Sequence, residues 1–325
     1  MKNPAHFWVK INTLAPDGSM TVRDADHINA YLVPADDFMV SPRSKPLLAL
    51  SEMNYGNYPG DGNHLTIYSK DRDEILQRRP DLAKLVRPVF GAQEFIRGIS
   101  RYCIWIDDSD LALANSDPEI ARRIEAVRAT RLISRDKSLN KLAARPHQYR
   151  DRNVAVRSSI LVPTVSSERR DFIPVELKSS SAVTTNQAFA LYDAPLWNMA
   201  LIASRLHLVW IGTVCGKMKT DFRYSNTLGW NTFPVPTLTE KNMADLTACS
   251  EDILLAREAH FPATIADLYD PEKMPENLRA AHDRNDETLE RIYIGRRFKN
   301  DTERLEKLFE MYTKMTSKKV GGARA

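Results

Sequence analysis

The chain has 325 residues, a formal net charge of +4 and 43% hydrophobic residues, which is enough apolar content to fold and too much for wholesale disorder. No apolar run approaches the roughly 20 residues of a membrane span, and the N-terminus lacks the continuous apolar stretch of a secretory signal. The three cysteines are widely spaced, which argues against a disulfide framework or a cysteine-rich zinc site. We therefore expect a cytoplasmic protein with no membrane partner.

The first part of the chain is predicted to be a mixed domain of short, mostly antiparallel strands with flanking helices. Short apolar runs predict strands at 7–11, 28–32, 65–68, 102–106, 160–163 and 172–177. The eight residues from Gly56 to Asn63 include three glycines and a proline, which predicts a loop. Helices are predicted over 71–84, from the Ser-Asp-Pro-Glu start at 116–119, and over 200–214.

After Pro236 the pattern changes to helices joined by short loops. Apolar residues recur at helical spacing around Leu246, Leu289 and Phe309. The sequence therefore predicts a mixed domain over 1–236, a helical domain over 237–316 and a disordered tail over 317–325. The predicted fold class is α+β.

The basic charge is concentrated in one region. Residues 121–171 carry 13 Lys or Arg against 5 Asp or Glu, whereas residues 237–315 carry 12 basic and 17 acidic side chains. Such a local basic stripe is typical of a protein that binds a polyanion. A solvated helix face is the structural alternative.

The sequence contains few motifs of a self-contained active site. The chain has no Pro-Pro dipeptide, so it lacks the loop that an amino-methyltransferase uses at the target base. Glu176-Leu177-Lys178 matches the Glu-x-Lys element of a metal-dependent nuclease, with Asp171 or Asp151 as the upstream acid, but such short matches are common by chance. No two histidines have the spacing of metal ligands on a helix face. We expect no catalytic residues and no metal site.

One run carries more information than any other. Residues 207–236 read HLVWIGTVCGKMKTDFRYSNTLGWNTFPVP. In it, Lys217, Lys219 and Arg223 alternate with Asp221 among several aromatic residues. Cations and a carboxylate interleaved in this way can face both the phosphates and the base edges of DNA.

Several segments together resemble the target-recognition domain plus C-terminal helical domain of MmeI-like (type IIG/IIL) restriction–modification enzymes. The resemblance covers roughly residues 25–315. The matching segments follow the family's order and are INAYL at 28–32, GNYPGD at 56–61, GAQEFI at 91–96, RYCIWI at 101–106, VPTVSSERR at 162–170, HLVW at 207–210, GKMKTDFRYS at 216–225, WNTFPVP at 230–236, IADLY at 265–269, MP at 274–275 and AAHD at 280–283.

The resemblance implies sequence-specific recognition of double-stranded DNA for an adenine-specific DNA methyltransferase of a restriction–modification system. Enzymes of this family are single chains that also contain a nuclease and a methyltransferase, and the parent enzymes use S-adenosylmethionine and Mg²⁺. Because this sequence lacks both catalytic signatures, we expect no cofactor in this chain. It would be either a recognition subunit acting with a separately encoded methyltransferase or nuclease subunit, or a piece of a longer enzyme.

The resemblance also implies which residues read DNA. The positions of Lys219 and Asp221 read one base pair, and the chemistry suits a G·C pair because lysine donates to guanine and aspartate accepts from cytosine. Arg223 would support them or hold a phosphate. An intramolecular Lys219–Asp221 pair is the alternative. By the same resemblance, Thr164, Asn186 and Gln187 are candidates for a second base position.

The phosphate contacts are expected from serines and cations of the basic region. The candidates are Ser166, Ser167, Arg169, Arg170, Arg128, Arg131, Arg135, Lys137 and Lys141. Two other functions remain open at this point: a nuclease that uses Glu176 and Lys178, and a scaffold whose helical domain binds a protein partner.

Overall fold

The computed structural model describes residues 9–14, 20–25, 28–31 and 39–320. Its strands are β1 (Val9–Leu14), β2 (Met20–Ala25), β3 (Asn54–Tyr55), β4 (Thr66–Tyr68), β5 (Val86–Phe90), β6 (Arg101–Ile104), β7 (Ser158–Pro163), β8 (Val165–Ser166), β9 (Glu176–Ser179), β10 (Val183–Thr184), β11 (Ala188–Tyr192), β12 (Lys217–Met218) and β13 (Asp221–Arg223). Its helices are α1 (Ser69–Arg78), α2 (Ala92–Arg97), α3 (Leu111–Asn115), α4 (Pro118–Leu132), α5 (Lys137–Lys141), α6 (Trp197–Ile202), α7 (Arg205–Val214), α8 (Glu240–Glu258), α9 (Ile265–Leu268), α10 (Glu276–Ile294) and α11 (Asp301–Val320).

The strands form three small sheets and a separate β1–β2 hairpin. One sheet has the order β10-β5-β6-β4, and its β10–β5 pair is parallel. The second, β3-β11-β7-β9, and the third, β12-β13-β8, are antiparallel throughout. The predicted α+β class with mostly antiparallel strands is confirmed.

The start of α4 shows how local sequence sets an element. Asp117 caps the helix by accepting hydrogen bonds from the amides of Glu119 and Ile120, both at 3.1 Å, and Pro118 occupies the first turn, where its missing N–H costs nothing. Ile124 and Val127 then bury one face of the helix. The helix predicted from this start is confirmed.

Other predicted elements differ from the structure. Residues 28–31 form no strand, and residue 32 lies outside the described residues, as do residues 7 and 8 of the first predicted strand. Residues 172–175 are irregular and strand β9 begins only at Glu176. The helix expected over 200–214 is two helices, because the Ser204 hydroxyl accepts from the His207 amide at 3.1 Å and starts a new one.

The start of the segment that was predicted to be a disordered tail is helical. Helix α11 continues to Val320, past the predicted end at 316, and residues 321–325 lie outside the described residues. In this part of the helix the Thr316 hydroxyl donates to the Tyr312 carbonyl at 2.9 Å and the Ser317 hydroxyl donates to the Thr313 carbonyl at 2.7 Å.

The largest hydrophobic core joins the second sheet and α7 to the C-terminal helices. The Trp210 ring of α7 lies 5.2 Å from that of Phe309 in α11, and the Phe172 ring stacks at 4.2 Å on His282 of α10. A second core lies between α1, α4 and the β4–β6 strands. Helix α7 leads directly into the β12–β13 hairpin, and Phe222 of that hairpin packs against this core.

Two histidines are fully buried in this core. His207 Nε2 lies 2.7 Å from the Tyr224 hydroxyl, and His282 Nε2 lies 2.9 Å from the Tyr269 hydroxyl. Burial lowers the pKa of each to about 3, so both are neutral at physiological pH. His207 is thus a packed, hydrogen-bonded side chain.

Among the described residues, no helix combines the length and the apolar character that a membrane span requires.

Candidate nucleic-acid interface

The β12–β13 hairpin presents the residues predicted to read DNA. Its two strands pair antiparallel, with Met218 opposite Asp221, and Lys219-Thr220 form the two-residue turn. Lys219 has φ +59°, a left-handed backbone conformation that residues other than glycine rarely adopt. The lysine therefore stands at the exposed tip of the hairpin despite a conformational cost of about 1–2 kcal/mol.

The pairing of the strands separates the two faces of the hairpin. Lys217 and Phe222 are opposite each other, and the Lys217 ammonium lies 5.4 Å from the centre of the Phe222 ring. Phe222 packs on α7, where a Cβ added to Gly212 would lie 3.1 Å from the ring. Asp221 and Arg223 lie on the other face, because side chains two apart on a strand point the same way.

The charged groups of the hairpin are largely free of partners within the protein. Among the described residues, neither the Lys219 ammonium nor the Arg223 guanidinium makes an ion pair or hydrogen bond, so the alternative of an intramolecular Lys219–Asp221 pair is not formed. Asp221 Oδ1 accepts from the Glu168 amide at 3.3 Å. The carboxylate keeps further acceptor capacity for a ligand.

Two other segments of the chain meet the hairpin. Strand β13 pairs with β8, and the Tyr224 amide donates to the Thr164 carbonyl at 2.9 Å. The Thr164 hydroxyl donates to the Gln187 carbonyl at 2.9 Å, and Asn186 is exposed beside Gln187 in the turn before β11. This brings together one exposed surface, which we call the reading surface, made of Thr164, Asn186, Gln187, Lys219, Asp221 and Arg223.

The sheet geometry explains why these segments converge. Strands β7 and β11 are antiparallel, with Pro163 opposite Ala188. Thr164 follows the end of one strand and Gln187 precedes the start of the other, so both lie at the same end of this strand pair. A Cβ added to Gly91 would lie 3.1 Å from Gln187 Oε1 and 2.6 Å from Thr185 Oγ1, so glycine is required where α2 approaches this edge.

The segment 166–170 borders the reading surface, but its residues differ in their exposure to solvent. Ser166 is buried and its hydroxyl accepts from Arg170 at 3.5 Å, so it positions Arg170 and does not face solvent as the phosphate-contact prediction required. Ser167 is half-buried and its hydroxyl accepts from the Arg169 amide at 3.4 Å. Burial lowers the pKa of Arg170, and the nearby Asp221 carboxylate opposes that shift.

Arg169 reaches solvent, yet it already has an acidic partner. Its guanidinium lies 3.0 Å from the Glu272 carboxylate in the helical part of the chain, and both side chains are mostly exposed. A second ion pair at 3.0 Å joins Asp171 to Arg279 of α10. The C-terminal helices thus hold this loop beside the hairpin.

Arg131 is a correction to the predicted phosphate contacts. It is 1% exposed and, in the part of the chain that the structure describes, its guanidinium donates to five backbone carbonyls. The five acceptors are the carbonyls of Gly60, Pro59, Leu142, Arg145 and Gln148. Its role is to fasten the glycine-rich loop to the end of α4, and burial lowers its pKa accordingly.

The other cations of that region remain available to a ligand in different degrees. Arg128 pairs with Glu125 at 3.0 Å and donates to the Ala143 carbonyl at 3.1 Å, so it is partly committed. Arg135, Lys137 and Lys141 are exposed, and within the described ranges their side chains have no ion pair or hydrogen bond.

The glycine-rich loop is a structural turn. Gly60 and Gly62 have φ of +55° and +65°, values that favour glycine. The Asp61 carboxylate accepts from the amides of Asn63 at 3.0 Å and Leu65 at 2.8 Å. With its polar groups committed internally, the loop does not have the form of a cofactor cradle.

The Glu-x-Lys pair of the nuclease alternative is internally neutralised. Glu176 lies 3.8 Å from Lys178 and 3.6 Å from Arg257, and the Lys178 ammonium lies over the Phe90 ring at 4.3 Å. No group of three or more His, Cys, Asp or Glu side chains suited to a metal ion occurs in the part of the chain that the structure describes. Asp171, one of the two suggested upstream acids, pairs with Arg279 at 3.0 Å.

Lys217 was missing from the predicted base and phosphate contacts. It is exposed on the same hairpin and, among the described residues, pairs with no carboxylate. The signal was present in the alternation of Lys217, Lys219 and Arg223 around Asp221, but only the strand register shows that Lys217 lies on the opposite face.

Known proteins resemble this chain in sequence and fold. The model of the MmeI target recognition domain matches residues 34–237, and that of the MmeI C-terminal domain matches residues 238–320. DNA methyltransferase A of Bacillus subtilis (strain 168) is 36% identical over 298 residues, which are 92% of this chain and 34% of that protein. The chain thus spans about a third of the length of this curated relative.

A solved structure of the type IIL restriction-modification enzyme MmeI in complex with DNA has a similar fold. It aligns with a TM-score of 0.84 and 30% sequence identity, over 95% of this chain and 42% of that one.

Proposed function

Because the chain belongs to the MmeI family of target-recognition and C-terminal domains, we propose that it is the sequence-reading module of an adenine-specific DNA methyltransferase or restriction–modification system. Its ligand is double-stranded DNA. The observation that carries this proposal is the reading surface, on which residues from three separate segments meet with their donors and acceptors exposed.

The chemistry of the hairpin supports reading of a G·C pair. The Lys219 ammonium, free of protein partners among the described residues, donates to the guanine O6 and N7 acceptors, and Asp221 accepts from the cytosine amino group. Each such contact contributes about 1–3 kcal/mol of discrimination against a wrong base. Asn186 and Gln187 carry amide groups that suit adenine, which accepts and donates in the same groove.

Binding strength comes from the phosphates. Arg170 borders the reading surface and Arg223 belongs to it, whereas Lys217 lies on the opposite face of the hairpin. Arg135, Lys137 and Lys141 extend the positive potential. A protein that neutralises several phosphates releases bound counterions, so its affinity falls steeply with salt.

The described residues do not form a site for the cofactor or the metal ion that the parent enzymes use. The glycine-rich loop is closed by its own hydrogen bonds and the Glu176 pair is neutralised, so neither S-adenosylmethionine nor Mg²⁺ has a set of ligands here. We propose that methyl transfer and cleavage belong to another part of the enzyme or to a separately encoded subunit, and that the module acts in the cytoplasm.

The experiment is in vitro selection from a random duplex library with the full chain, followed by fluorescence anisotropy at several salt concentrations. The double variant Lys219→Glu with Asp221→Arg should change the selected base pair at one position. Asp221→Asn is the matched control, because it keeps an oxygen for the Glu168 amide and removes the charge. An unchanged site in the double variant refutes the assignment.

The same preparation separates the other functions. Absent or salt-insensitive binding of duplex DNA would favour a protein scaffold. Magnesium-dependent cleavage that is lost in Lys178→Ala would favour the nuclease.

A further inference from the structure

The turn between α4 and α5 has an unusual combination of apolar and basic residues. Ile133 is 85% exposed and Leu132, the last residue of α4, is 61% exposed. Isolated apolar side chains on a surface need no explanation, but here two adjacent ones project from the most basic part of the chain.

The charges around this corner are almost all positive and available. Arg135, Lys137 and Lys141 are exposed and lack protein partners among the residues that the structure describes. Two carboxylates are close in the chain: Glu125 pairs with Arg128 at 3.0 Å, and Asp136 caps α5 by accepting from the Ser138 amide at 2.8 Å and keeps its negative charge at the corner. An apolar tip surrounded by cations suits a polyanion with an apolar interior.

The corner is connected to the reading surface through the glycine-rich loop. Arg131 ties the end of α4 to the Gly60 carbonyl at 2.8 Å. Three residues earlier in that loop, Asn57 pairs with Thr185 and its carbonyl accepts from the Asn186 amide at 3.1 Å. Three residues of chain span at most about 11 Å, so the corner lies within about one helical turn of duplex, some 34 Å, of the reading surface.

We propose that Ile133 is a wedge that enters the minor groove and partly unstacks one base step while the reading surface occupies the major groove. This inference rests on the proposed function, because it requires duplex DNA as the ligand. Along one face of B-DNA the two grooves alternate about every half turn, roughly 17 Å, which is within the reach derived above.

The wedge kinks the duplex, and Arg135, Lys137 and Lys141 hold the phosphates on either side of the kink. Pyrimidine–purine steps unstack most easily, so the protein would prefer such a step at a position where no side chain reads a base edge. The corner therefore adds specificity through DNA shape to the direct reading by the hairpin.

The test compares Ile133→Ser and Ile133→Leu with the control Val156→Ser. Val156 is a matched residue because it is 84% exposed and branched at Cβ. Its amide donates to Asp193 at 2.8 Å, at the opposite end of the β7–β11 pair from Thr164 and Gln187. All three substitutions are on the surface, and circular dichroism checks that each full-length variant folds.

The probe is the duplex selected by the unaltered chain, labelled at both ends for energy transfer and with 2-aminopurine at the predicted step. We expect Ile133→Ser to abolish the bend and the 2-aminopurine signal and to weaken binding by roughly tenfold. We expect Ile133→Leu and Val156→Ser to behave like the unaltered protein.

The outcomes separate this inference from the proposed function. If the unaltered protein selects a site but leaves it straight, or if Ile133→Ser bends it equally, the wedge is overturned and the reading module stands. If the unaltered protein binds no duplex at low salt, both fail together.

Discussion

Replacing Lys219 with glycine should change stability and recognition in opposite directions. The lysine has φ +59°, which costs a residue with a Cβ about 1–2 kcal/mol and costs glycine almost nothing. Part of that gain is lost because glycine has more freedom in the unfolded chain, so we expect the free energy of unfolding to rise by up to about 1 kcal/mol.

The same substitution removes the amine that we propose donates to guanine. Loss of one such contact corresponds to about 1–3 kcal/mol, or roughly a 5- to 150-fold weaker preference for the selected base pair over its alternatives. Lys219→Asn is a useful second variant, because asparagine tolerates the left-handed conformation but carries no charge. Lys219→Arg keeps the positive donor and should retain the preference for guanine.

Two measurements test this reasoning. Urea denaturation gives the stability of each variant, and fluorescence anisotropy with the selected duplex and its three single-pair variants gives the preference. A Lys219→Gly protein that keeps both its affinity and its base preference would show that the lysine is only a turn residue. A loss of both stability and binding would show that the turn itself needs the lysine side chain.

Three further outcomes are expected. Glu272→Gln should free Arg169 and tighten binding to all duplexes alike by up to about fivefold, as measured by fluorescence anisotropy. Glu276→Gln makes the same charge change at another exposed position and should tighten binding less. Equal effects of the two variants would mean that the Arg169–Glu272 ion pair is irrelevant to binding. Arg131→Ala should lower the free energy of unfolding in urea titrations by at least about 3 kcal/mol, because it leaves buried carbonyls without donors. A weaker salt dependence of DNA binding without a loss of stability would argue for a phosphate contact instead. The two buried histidines have pKa values of about 3, below the unfolded value near 6.5, so their contribution to the free energy of unfolding is full above pH 6.5 and is lost as pH falls. Urea denaturation at pH 5 should show a free energy of unfolding lower by about 2 kcal/mol per histidine than at pH 7. An unchanged free energy of unfolding between pH 7 and pH 5 would contradict their burial.

The family and several local elements could be predicted from the sequence alone. The Asp117 cap with Pro118 fixes the start of α4, because the hydrogen bonds that satisfy the first amides of a helix come from residues adjacent in the chain. The glycine-rich loop and the alternating charges of the hairpin were visible for the same reason. Their chemistry depends on neighbours a few positions away.

The tertiary structure decided which of these residues can meet a ligand. Arg131 and Arg135 look alike in sequence, but Arg131 is buried by carbonyls of a loop 71 and 72 residues away, whereas Arg135 is exposed. Thr164 and Gln187 reach the hairpin only because β7 and β11 pair antiparallel. Burial, desolvation and long-range hydrogen bonds depend on distances through space, and those distances are set when the whole chain folds.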